Sequence, residues 1–79
     1  MAKNSWINKS MFIGAGYIDR TGFLSKVVDG FEILVHSDGD VVVDTYSDEG
    51  VSFIHYTNIK SIKQFNKILM ILGAVDCLI

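Results

Sequence analysis

The spacing of apolar residues divides this chain into a strand-forming majority and a helical end. Phe31, Ile33 and Val35 fall on one side of an extended segment, with Glu32, Leu34 and His36 on the other. Val41 and Val43 oppose Val42, Asp44 and Tyr46 in the same way. Between these runs lies Ser37-Asp38-Gly39-Asp40, whose Asp-Gly pair suits the positive backbone dihedrals of a tight turn. Ser47-Asp48-Glu49-Gly50 repeats this punctuation before Val51 to Thr57, a run rich in β-branched and aromatic residues. Upstream, Met11 to Asp19 and Phe23 to Asp29 read as two further strands separated by Arg20-Thr21-Gly22. Gly14 and Gly16 then share one face of the first strand and relieve packing there.

After Thr57 the period lengthens. Ile59, Ile62, Phe65, Ile68, Leu69, Met70 and Leu72 gather on one arc of a helical wheel, interrupted only by Ser61 and Asn66. Lys60, Lys63, Gln64 and Lys67 occupy the opposite arc. A start near Thr57 would place Lys60 against the positive end of the helix dipole. Ser61-Ile62-Lys63-Gln64 instead fits a capping box, so the helix is expected from about Ile62 to Leu72, with Gly73 as its stop. Ala74 to Ile79 follows as an edge strand or a tail on the core.

These elements predict an α+β fold over residues 1–79 as a single domain: an antiparallel meander of four to five strands with one C-terminal amphipathic helix packed on one face. The succession of strands, Asp-Gly turns and the exit Tyr56-Thr57-Asn58-Ile59 resembles the pattern of small SH3-like and Sm-like barrels over about residues 11 to 62. That resemblance implies an alternative architecture, a small barrel with an appended helix. It brings no diagnostic motif and transfers no site residue.

Composition supports a packed core, since Ile, Val, Leu and Phe supply 28 of the 79 residues. A chain of this length gains only roughly 3–5 kcal/mol of net stability from one core. The lone Cys77 has no partner for a disulfide, a thiolate metal site or a CxxC pair, which points to a reducing, cytoplasmic setting. Met1 to Trp6 lacks the apolar stretch of a secretory signal, and Asn8-Lys9-Ser10 reads as an accidental tripeptide. The longest apolar run, Ile68 to Val75, is too short to span a bilayer, so no membrane partner is expected.

Charge changes the picture more. The formal net charge of −2 conceals a segment, Asp29 to Glu49, with seven acids and no Lys or Arg, while the remainder carries +5. Turn chemistry accounts for part of this, because Asp suits tight loops. The functional reading is an acidic hairpin face made by Asp38, Asp40, Asp44, Tyr46, Asp48 and Glu49, steered toward a larger protein with a basic, nucleic-acid-binding surface. Lys60, Lys63 and Lys67 form the alternative site, a helix face for nucleic-acid phosphates. Binders of that kind usually add arginines and interleaved aromatics, and Arg20 is far off in sequence, so direct nucleic-acid binding ranks below protein binding. Homo-oligomer formation through Ile68 to Ile79 is a third reading.

Catalytic chemistry finds no foothold. Cys77 lies in apolar sequence without a neighbouring base, no serine sits in a strained elbow, and Gly14-Ala15-Gly16 lacks the rest of a phosphate loop. His36 and His55 with Asp38 or Asp44 would supply three metal ligands only if strand alternation brought both rings together, and Asp38 to Asp44 lacks the ligand spacing of a calcium loop. The expectation is therefore no enzyme, no metal and no cofactor. Trp6 is expected as a lid on the core, with Trp6 and Tyr17 as alternative interface anchors and Tyr46 and Tyr56 on the outer sheet face. The chain reads as a small binding module, an inhibitor or adaptor of the phage or mobile-element type.

Overall fold

The structure, a computed structural model, describes residues 6–79. Its elements in order are α1 (Lys9–Gly14), β1 (Ile18–Arg20), β2 (Phe23–Val28), β3 (Phe31–His36), β4 (Val41–Ser47), β5 (Gly50–Tyr56) and α2 (Ile62–Leu72), followed by a 3-10 turn at Val75–Cys77. The five strands form one antiparallel sheet in the order β1-β2-β3-β4-β5. It is an open meander, and the barrel alternative is set aside because β1 and β5 are edges that do not pair.

The hairpins form where local sequence demands them. Gly39, with φ of 98°, ends the β3–β4 turn by donating its N–H to the His36 carbonyl, while His36 N–H reaches Asp40. The Asp38 carboxylate accepts the Asp40 N–H at 3.0 Å and braces the same turn. Helix α2 starts and stops as its sequence dictates. Ser61 caps it by accepting the Gln64 N–H at 3.1 Å, and Gly73 closes it in the left-handed region. Gln64 reaches back one residue further than the usual capping box, to the Lys60 N–H at 2.8 Å.

The first segment departs from expectation. Lys9–Gly14 is helical where Met11 to Asp19 reads as a strand, and only Ile18–Arg20 of that run is extended. Contiguous Met11, Phe12 and Ile13 satisfy neither period decisively, and one buried residue, Phe12, suffices to anchor a short helix. Asn8 decides the matter by accepting the Met11 N–H at 3.2 Å as an N-cap. Gly14 and Gly16 consequently lie after a helix, not on one strand face; Gly16 takes φ of 98° beyond its end.

Alternation in β3 and β4 works as read: Ile33, Val35, Val41 and Val43 are buried. They join Leu24, Phe12, Phe65 and Leu69 in one apolar cluster, with Trp6 and Tyr17. Edge-on ring contacts link Phe12 to Tyr17 at 5.0 Å and to Phe65 at 5.5 Å, and Trp6 lies 5.7 Å from Phe65. Both Trp6 and Tyr17 are thus core residues, which removes them as interface anchors.

The chain end is tied down by polar groups. Tyr17 donates its hydroxyl to the Cys77 carbonyl at 2.7 Å, and Lys26 donates to the carbonyls of Ala15 and Asp76 at 2.7 and 2.6 Å. Asn66 pairs both its amide groups with the backbone of Ile79, at 3.2 and 2.9 Å. The two polar residues that interrupt the apolar arc of α2 are accounted for: Ser61 caps the helix and Asn66 holds the tail. That tail is a 3-10 turn packed against the cluster, with Cys77 buried.

Candidate protein-interaction surface

Strand register assigns the outer face of the sheet. Val27, Glu32, Asp44 and Phe53 stand side by side across β2 to β5, and Tyr46 pairs with Val51 in the next row toward the β4–β5 turn. Cross-strand neighbours in antiparallel sheets share a face, so these six side chains form one surface. Its apolar members are open to solvent: Phe53 is 70% exposed, Val27 68%, Val51 65% and Tyr46 42%. Tyr46 is held in place by donating its hydroxyl to Glu32 at 2.8 Å. That bond, with some loss of hydration and the nearby charges of Glu32 and Asp44, raises the tyrosine above its ordinary pKa.

The acids do not make a single patch. Asp48 and Glu49 occupy the β4–β5 turn, at the same end of the sheet as Asp29 in the β2–β3 turn, and Asp44 and Tyr46 lie on the outer face near that end. Asp38 and Asp40 belong to the β3–β4 turn at the opposite end. The intervening strand Val41–Ser47 has 7 residues, which at about 3.3 Å each separates the two groups by roughly 20 Å. Asp40 is also engaged locally, its carboxylate lying 3.2 Å from His55 Nε2. Of the six residues expected as one acidic face, Asp44, Tyr46, Asp48 and Glu49 are brought to one end, and Asp38 and Asp40 are not.

Sequence reasoning missed Val27, Glu32, Val51 and Phe53 as members of this surface. The signal was available in the two-residue period: odd-numbered positions of β5 share the face of Tyr46. What the period cannot show is whether that face is covered. Tyr56 was expected on it, but register places Tyr56 opposite Val41, on the core side, where it packs against the apolar cluster.

The remaining candidates are dispersed. Lys60, Lys63 and Lys67 are exposed, with Lys63 and Lys67 one turn apart on α2 and Lys60 preceding its cap. His36 rests against Phe23, their ring centroids 5.5 Å apart, while His55 faces Asp40. No group of three or more His, Cys, Asp or Glu suited to a metal ion occurs among the described residues. The Cys77 thiol is pushed up by burial, opposed in part by the Lys26 charge and reinforced by Asp76. Met70, Ile71 and Val75, from the stretch considered for self-association, are exposed. Among the described residues no helix is long and apolar enough to cross a membrane.

No known protein-family model matches this chain, and no curated protein or solved structure shows significant similarity to it.

Proposed function

We propose that this protein is a non-catalytic protein–protein interaction module, an inhibitor or adaptor that covers a basic surface on a larger protein in a reducing, cytoplasmic setting. One observation carries the reading: an exposed sheet face presents Tyr46, Val51 and Phe53 together and Val27 further across, with Glu32 and Asp44 set between Val27 and Phe53 and with Asp29, Asp48 and Glu49 in the turns at one end. Exposed aromatic and apolar side chains interleaved with carboxylates supply both the contact area of a hot spot and the charge that selects its partner. Burying a side chain the size of Phe or Val contributes about 1.5–3 kcal/mol, so this cluster is the largest source of binding energy on that face. The acids supply steering, and they select a partner rich in Lys and Arg.

Because the carboxylates divide between two ends, the two ends are tested separately. Affinity capture from the native host uses the parent, a variant with Asp44→Asn, Asp48→Asn and Glu49→Gln, and a second variant with Asp38→Asn. The expected result is a partner recovered by the parent and by D38N, released by raised salt, and lost with the triple variant. Equal recovery by all three baits would remove the proposal.

A further inference from the structure

The two edges of the sheet are built differently. β1 is 3 residues long, carries Asp19 and Arg20, and is crossed by an ion pair from Lys9 to Asp19 at 3.2 Å. Such short, charged edges resist pairing with other chains. β5 runs for 7 residues, Gly50–Tyr56, without a proline or a charged Lys, Arg, Asp or Glu. Among the described residues none of the usual devices blocks it.

Register identifies its free backbone groups. Tyr46 donates its N–H to Gly30, so the even-numbered residues of β4 bond toward β3 and the odd-numbered ones toward β5. Their partners Ser52, Ile54 and Tyr56 are therefore committed to β4, while Val51, Phe53 and His55 direct their N–H and C=O groups outward. Phe53 stands over this edge on the outer face, and half-exposed Ile54 lies beside it on the inner face.

We propose that this edge takes an extended basic segment of the partner as a sixth strand, with alternating Lys or Arg and apolar residues. The inference deepens the function proposed above and rests on it for the partner's charge. Basic side chains on the outer face would lie over the Phe53 ring and toward Asp44, its cross-strand neighbour, with Asp48 and Glu49 at the end of the strand. Apolar side chains on the other face would cover Ile54. A second copy of this chain fits worse. Antiparallel pairing of two β5 strands about Phe53 would bring Asp48 and Glu49 against residues 57–58 of the copy. Those residues line a depression of about 260 Å³ together with Asp38 and Asp40, and Lys60 is the one cation in that lining. With two carboxylates against one ammonium, that lining carries the same sign of charge as Asp48 and Glu49 and disfavours the pair.

The probe is a capped seven-residue peptide alternating lysine and valine, compared with its glutamate–valine counterpart, and the readout is residue-resolved amide exchange by NMR on the intact protein. The lysine peptide is expected to slow exchange at Val51, Phe53 and His55 by about tenfold and to leave Ser52, Ile54 and Tyr56 unchanged, with the effect lost at high salt. Phe53→Pro removes an outward N–H that β4 does not use and should abolish protection; Phe53→Thr keeps that N–H and should retain part of it. Folding of both variants is checked by the exchange pattern of β3. Concentration-dependent protection of Val51, Phe53 and His55 without peptide would overturn the proposal in favour of a second copy. Equal protection by the glutamate peptide, or no response to either, would also overturn it. Shifts at Val27 and Tyr46 without amide protection would defeat the sixth strand while leaving the surface reading intact.

Discussion

Replacing Tyr17 by Phe isolates one contact that joins residues 60 positions apart. The substitution keeps the ring, and with it the edge contact to Phe12 at 5.0 Å. It deletes the 2.7 Å hydrogen bond to the Cys77 carbonyl in a buried setting, leaving an acceptor without its donor. Such a loss costs about 1–3 kcal/mol. Against a net stability of roughly 3–5 kcal/mol for a domain this small, a loss of about 2 kcal/mol is large. It raises the unfolded fraction about thirtyfold and lowers Tm by about 8–16 °C.

The same residue sets a pH signature. Burial, and secondarily the negative charge of an ionised Cys77, push the Tyr17 hydroxyl above its ordinary value of 10. A group whose folded pKa is raised contributes its full stability below the unfolded pKa and loses it as pH climbs toward the folded value. The parent should thus hold constant stability from Tyr17 up to about pH 10 and then decline, by up to about 1.4 kcal/mol per pH unit for this one proton. Y17F has no such hydroxyl, so the gap between parent and variant should narrow above pH 10. Urea denaturation at neutral pH and at two alkaline values measures both effects. A variant within about 0.5 kcal/mol of the parent at neutral pH, or a gap that stays constant on the alkaline side, would refute this account.

Two further expectations concern local structure and the surface. Ser61→Ala should destabilise the protein by about 1 kcal/mol, because α2 loses the acceptor for the Gln64 N–H, whereas Ser61→Asp should retain stability; equal denaturation midpoints for parent and S61A would count against the cap. Glu32→Gln should lower the titration midpoint of Tyr46 toward its ordinary value, since the carboxylate both accepts a hydrogen bond from the phenol and opposes a second negative charge. Ultraviolet titration of the tyrosines, with Y46F identifying the relevant step, reads that shift, and an unmoved midpoint would mean the bond is absent in solution.

Signals confined to a few neighbouring residues were legible in the chain alone. The β3 limits, the Asp-Gly turn at residues 38–39 and both ends of α2 follow from alternation, turn chemistry and capping, because each depends on backbone geometry within one or two turns. The segment at Lys9–Gly14 shows the limit of that approach. Three contiguous apolar residues fit either period, and the Asn8 cap was the local clue that settled it.

What tertiary structure alone decided lies in long-range placement. The concentration of acids between Asp29 and Glu49 suggested that Asp38, Asp40, Asp44, Asp48 and Glu49 share one patch, yet a strand is a rod about 20 Å long, and successive hairpin turns alternate between its ends. Folding therefore parted Asp38 and Asp40 from Asp48 and Glu49 in a way that composition could not register. Likewise the register of β5 against β4, which puts Val51 and Phe53 beside Tyr46 and turns Tyr56 to the core, was not read from the chain, and whether that face stays bare depends on where the helices settle. The Tyr17–Cys77 and Asn66–Ile79 bonds belong to the same class: each becomes possible only once distant segments have been packed together, so no short-range pattern announces them.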